Sequence, residues 1–133
     1  ISDTSIDRRI DSTNPTYQQQ VIREKHITGS SVTIVLCGPE SWKRRWIDWE
    51  IHMTLNKKHG LLGVVLPSAV KNYAGEFIVP DRLLANVNSG FAHWTHWSES
   101  AQALKAAVDT ARNMARKTIL IRNSEPRMQR SRS

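Results

Sequence analysis

Three short apolar runs stand out along the chain, separated by amphipathic or polar stretches. Ser31–Cys37 is rich in β-branched residues and, apart from Thr33, lacks polar alternation, which is the pattern of a strand buried on both faces of a parallel sheet. Gly38-Pro39 ends it. Leu61–Leu66 repeats the pattern and stops at Pro67, and the aromatic, β-prone segment Phe91–Trp97 predicts a third strand. Between the first two runs, Glu40–Lys58 contains neither Gly nor Pro and has helical periodicity. Ser41 is its expected N-cap, Lys57, Lys58 and His59 suit the negative end of the helix dipole, and Gly60 is expected to close it. After the third run, Ser98 reads as an N-cap with Gln102 nearby. Ala101, Leu104, Ala107, Val108, Ala111 and Met114 then fall on the inner face of a second long helix.

The remaining segments are less regular. Ile1–Asn14 reads as a strand remnant running into a loop, and Asn14-Pro15 predicts a helix over Thr16–His26, with Tyr17, Val21 and Ile22 at helical spacing and Thr28-Gly29 as the break. Ser68–Gly90 reads as a long irregular loop with one helical turn at most. Thr118–Ile121 reads either as a last short strand or as the fraying end of a helix. Strand, helix, strand, loop, strand, helix at these spacings defines the α/β class, with a parallel sheet and helices on both faces. Ligands of such sheets gather beyond the carboxyl ends of the strands. That directs attention to Cys37-Gly38-Pro39 and the helix that follows.

Composition narrows the partners. The 133 residues suffice for one domain with a substantial core. The formal charge of +7 is concentrated at one end: residues 1–110 carry twelve basic against eleven acidic side chains, whereas from Ala111 onward seven basic residues face Glu125 alone. The expected division is therefore a domain over residues 1–122 and a basic, disordered tail over 123–133. A solvated tail is the ordinary meaning of such a charge run, so nucleic acid is not expected as a partner. Cys37 is the only cysteine, which excludes an intrachain disulfide and a Cys-rich metal site and fits a reducing cytoplasm. The longest nearly apolar stretch, Gly60–Pro67, is far shorter than the ~20 residues that span a bilayer, so no membrane partner is expected.

Few residues offer chemistry. Trp42, Trp46, Trp49 and Met53 fall on one helical stripe, which in most proteins is core, and Ile47, Ile51 and Leu55 form a second apolar row. Glu50 borders the tryptophan stripe, away from Asp48 and His52. Geometry alone favours a paired, structural glutamate, with Lys43 or Lys57 in reach along the helix. His93 and His96 point to opposite faces of a strand and cannot share a metal. Cys37 is the small buried thiol of a core strand, and Lys43-Arg44-Arg45 is a solvated turn. No metal site is expected.

The stretch Gly29–Glu50, GSSVTIVLCGPESWKRRWIDWE, resembles the core of the TIR-like proteins of the Thoeris antiphage defence type, in which a strand of this form leads into a helix with a WxxxE motif. The motif here is Trp46-Ile47-Asp48-Trp49-Glu50, and looser similarity runs from Ser5 through the Phe91–Trp97 segment. The resemblance implies a flavodoxin-like three-layer sandwich with a central parallel sheet. The family's first strand and helix have no counterpart before Ile1, so the chain is expected to be N-terminally incomplete. The resemblance further implies cleavage of the nicotinamide–ribose bond of NAD, which is substrate and not cofactor, with Glu50 as the catalytic residue. Trp46 would offer a packing surface, and Gly38 and Ser41, at the helix start, would hold phosphate or ribose oxygens. The products would be nicotinamide and ADP-ribose or a cyclic ADP-ribose isomer that signals to a separate effector protein, and activity would require a homo-oligomer. The main alternative is a TIR-like interaction module without activity. A polyanion-binding domain using the basic tail ranks third.

Overall fold

The computed structural model describes the backbone of residues 21–27 and 30–130 and the side chains of residues 32–130. The strand remnant over Ile1–Asn14 and the first part of the Thr16–His26 helix lie outside the described residues. The architecture comprises β1 (Val21–Ile27), β2 (Ser30–Cys37), α1 (Arg45–Asn56), β3 (Gly60–Val65), α2 (Asp81–Ser89), β4 (His93–His96) and α3 (Ala101–Met114). The strands form one sheet in the order β1-β2-β3-β4. β2, β3 and β4 run parallel, with Val32 opposite Gly60 and Leu62 opposite His93. This is the α/β, flavodoxin-like arrangement that the sequence predicts.

Alternation along β2 and β3 sends side chains into two cores. Val32, Ile34, Leu36, Leu62 and Val64 meet Ala107, Val108 and Ala111 of α3 on one face. Val35, Cys37 and Leu61 meet Ile47, Ile51 and Leu55 of α1 and Leu83 of α2 on the other. Three layers result, with β2 and β3 buried between helices. Gly63 makes room for this packing, because a Cβ there would stand 2.9 Å from Leu83 Cδ2 and 3.1 Å from Trp94 Cε3 and both side chains would have to shift.

The structure corrects several expectations. Val21–Ile27 is a strand and not the end of a helix, and it pairs antiparallel with β2 through a register shift between Val21 and Arg23. The open edge of β2 supplies unpaired backbone groups that outweigh a three-residue helical spacing. Within the Ser68–Gly90 loop, α2 forms a nine-residue helix. Two asparagines of low helix propensity conceal it in the sequence, yet Pro80 precedes it and Gly90, at φ 92°, ends it. α1 is closed by Lys58 at φ 60°, one residue before His59, and not by Gly60, which is already in β3. The amides of Lys58 and His59 donate to the carbonyls of Leu55 and Thr54 at 3.0 Å each, a Schellman closure with lysine where glycine is usual. The N-cap of α3 is Ser100, whose hydroxyl accepts the Ala103 amide, and not Ser98. Thr118–Leu120 is a 3-10 turn.

Beyond that turn the segment expected to be a disordered tail is tied down through Gln129. It crosses back over the α1 and α2 side of the sheet and is held there by hydrogen bonds to both helices. No helix among the described residues is long and apolar enough to cross a membrane.

Candidate functional site

The turn between β2 and α1 is built around Ser41. Its hydroxyl accepts the Gly38 amide at 2.9 Å and donates to the Leu36 carbonyl at 2.8 Å, and the side chain is buried. Ser41 is therefore not the N-cap of a long helix. It begins a 3-10 turn, Ser41–Lys43, and α1 starts only at Arg45. Gly38 and Ser41 close onto each other, so both groups expected to face a ligand are occupied in shaping the strand's exit. Lys43 and Arg44 both pair with Glu40.

α1 presents its two apolar rows unequally. Ile47, Ile51 and Leu55 face the sheet and are buried, whereas Trp46 and Met53 are each 45% exposed and Trp49 is 36% exposed. The tryptophan stripe is thus an outer ridge and not core, because a helix lying on a sheet has one buried face and the aliphatic row takes it. Trp49 is partly covered: its Nε1 donates to the Met128 carbonyl at 2.7 Å, and the guanidinium groups of Arg127 and Arg45 lie 4.7 and 5.4 Å from its ring centre.

Glu50 is exposed and lies one turn after Trp46 on the same side of α1. No ion pair links its carboxylate to another described residue. The expected pairing with Lys43 or Lys57 is not formed, and Lys43 is with Glu40. Glu50 and Thr54 share one flank of the helix. The Thr54 hydroxyl donates to the Glu50 carbonyl at 2.9 Å and pairs with the hydroxyl of Thr33 on β2 at 2.7 Å, where the Thr33 proton completes the bond. The opposite flank carries Asp48 and His52, against α2 and the C-terminal segment. The sequence candidates therefore fall into two groups: Trp46 with Glu50 on open helix surface, and Gly38 with Ser41 inside the β2–α1 turn.

Asp48 and Arg82 were not foreseen. Arg82 Nε donates to Asp48 Oδ1 at 2.9 Å and Nη2 to Oδ2 at 3.3 Å, with the two side chains 4% and 10% exposed. They lie on the floor of a groove of about 810 Å³ between the start of α1, α2 and the C-terminal segment. Asp48 sits on the helix face that polarity assigns to solvent, and Arg82 lies in a segment that reads as loop. Only the brief Pro80-Asp81 helix-start signal could have suggested that Arg82 is held in a helix.

The lesser candidates take structural places. Cys37 is fully buried and burial pushes its thiol up to about 12, so it holds no thiolate at neutral pH. His93 titrates below its ordinary range because of burial. His96 rests edge-on against Phe77 with ring centres 5.7 Å apart. Trp94 and Trp97 pack into opposite cores, as their spacing on a strand predicts. No cluster of potential metal ligands occurs among the described residues.

A parallel sheet between helices, with a strand leading through a serine-braced turn into a WxxxE helix, defines a TIR-like α/β domain. Residues 1–71, over half of the chain, match the family described as Thoeris protein ThsB, TIR-like domain. The chain belongs to that family, and with it to antiphage defence. Neither the curated proteins nor the solved structures yield a match.

Proposed function

We propose that the protein cleaves the bond between nicotinamide and ribose in NAD, with Glu50 as the catalytic residue. The observation that carries this reading is the state of Glu50: the last position of the motif, exposed, unpaired among the described residues and one turn from the Trp46 indole. Loss of nicotinamide leaves an oxocarbenium-like ribose, and a carboxylate held beside C1′ stabilises that charge or grips the ribose hydroxyls. The electron pair of the C1′–N bond departs with nicotinamide, which leaves neutral and needs no general acid. Water, or a nucleophile within the same nucleotide, then closes on C1′ and loses a proton, giving ADP-ribose in the first case and a cyclic ADP-ribose isomer, smaller by one water, in the second. No metal or resident cofactor enters the scheme, and a cytoplasmic location suits the substrate.

Glu50 and Trp46 supply one wall, and the opposite wall comes from a second element or a second copy, which fits activity on assembly. Gly38 and Ser41 act here by holding the turn that launches α1, and not through direct ligand contact. The product then serves as a signal to a separate effector. Incubating the assembled protein with NAD and separating the products by chromatography tests this reading. It predicts nicotinamide together with ADP-ribose or a cyclic ADP-ribose isomer, and intact NAD under assembling conditions counts against it.

The second reading, an interaction module without catalysis, draws on the exposed ridge of Trp46 and Met53. Exposed aromatic and methionine side chains on one helix face are typical of contact surfaces. The two readings part on a single point: substitution of Trp46 would disturb assembly in both, whereas Glu50→Gln matters to product formation only in the first.

A further inference from the structure

The segment over residues 122–130 is bound in an unusual manner. From Arg122 onward its contacts with the domain are made chiefly through its own main chain. Asn86 clasps both backbone groups of Arg122, accepting its amide at 2.8 Å and donating to its carbonyl at 2.8 Å. Arg82 donates to the carbonyls of Glu125 and Pro126 at 2.8 and 2.9 Å. Asp48 Oδ2 accepts the Met128 amide at 2.8 Å, and Trp49 Nε1 donates to the Met128 carbonyl at 2.7 Å. Asn123 is the main side-chain contact, reaching Arg82, His52 and Asn56.

The segment contributes little to the core. Leu120 and Ile121 are the last residues packed against an apolar cluster, while Ser124, Glu125, Pro126, Arg127, Gln129 and Arg130 are exposed. A segment held by polar contacts at the surface opens at low cost compared with the core, and its removal uncovers no large apolar area. The receiving side remains when it leaves, because the Asp48–Arg82 pair is complete in itself. A donor and an acceptor for each of two backbone positions, six residues apart, form a preset template for an extended peptide.

From these contacts we propose that the seam between α1 and α2 is a recognition site for an extended peptide main chain. Its own residues 122–130 fill it as a detachable ligand, and the same segment of a second copy can fill it in exchange. The inference does not depend on Glu50, which lies on the other flank of α1.

The test uses the full chain and a fluorescent peptide of residues 122–130. Met128→Pro in the full chain removes the amide that Asp48 accepts and so weakens the internal occupant without touching the groove. The labelled peptide is expected to bind the Met128→Pro chain saturably and at least tenfold more tightly than the wild-type chain. A peptide N-methylated at Met128 should bind at least tenfold more weakly, and one with alanine at Ser124 and Gln129 within threefold of the parent. Hydrogen exchange on the wild-type chain supplies a check that does not depend on the variant: the Met128 amide should exchange at least a hundredfold faster than that of Leu62. Equal binding to both chains, no binding to a folded Met128→Pro chain, or exchange of Met128 only at the rate of Leu62 would overturn the proposal.

Discussion

Arg82→Met would remove the guanidinium and leave the Asp48 carboxylate, 10% exposed, with the Met128 amide as its remaining donor. Breaking a buried ion pair from one side costs about 3–5 kcal/mol, because the surviving charge is stranded in a poor solvent. The carbonyls of Glu125 and Pro126 would also lose their partner, but they lie at the surface and regain water, so their share is small. We expect a loss of about 4 kcal/mol for Arg82→Met. Asp48→Asn should cost less, about 2 kcal/mol, because Arg82 keeps Asn123 and two carbonyls as acceptors and the amide oxygen still receives one bond. The double variant strands no charge and should lose about 3.5 kcal/mol, which gives a coupling of about 2.5 kcal/mol. Urea unfolding followed by tryptophan emission reads these values. With a slope of about 2 kcal/mol per molar urea, Arg82→Met moves the midpoint by about 2 M. Additive single losses, or a loss below about 1 kcal/mol for Arg82→Met, would show that the pair is not the hub that joins α1, α2 and the C-terminal segment.

Other outcomes follow from single contacts. Lys58→Gly should raise stability by about 0.5–1 kcal/mol, measured by the same unfolding curve, because it relieves a non-glycine residue at φ 60° in the closure of α1. Ser41→Ala should cost about 1–3 kcal/mol, since it leaves the buried Gly38 amide and Leu36 carbonyl without their shared partner; an unchanged midpoint would contradict that role. Cys37 should resist a thiol reagent at pH 8 in the native protein and react fully once unfolded. Its folded thiol titrates near 12 against an ordinary value of 9.0, so its contribution to stability is complete below pH 9 and is lost as pH rises toward 12. A Cys37→Ala chain should lack that alkaline decline.

The parallel strands and the two long helices were legible because their signals are local. β2 and β3 are continuous apolar runs bounded by Gly and Pro, and α3 carries its inner face at regular spacing. The errors arose where a local pattern had two solutions that only tertiary packing could decide. The aliphatic and tryptophan rows of α1 are equally helical, and the sheet chose Ile47, Ile51 and Leu55. Val21 and Ile22 fit a helix or a strand, and the edge of β2 decided in favour of the strand. The basic C-terminal segment reads as solvated because its attachment uses backbone groups, which leave no mark on side-chain composition. For the candidate site, Glu50 and Trp46 were identified from the motif. The closure of Gly38 onto Ser41, and the meeting of residues 48, 82 and 123, depend on contacts that spacing along a chain does not encode.

The most direct measurement of the central claim is the rate of nicotinamide release from NAD by the assembled wild-type protein and by Glu50→Gln, with the melting temperature of each recorded alongside. Glu50 is exposed and unpaired among the described residues, so its substitution should change stability by no more than about 0.5 kcal/mol. The account predicts a loss of at least about a hundredfold in rate, the size seen when a group that stabilises transition-state charge is removed, with the melting temperature essentially unchanged. Nicotinamide release by Glu50→Gln at the wild-type rate would contradict it.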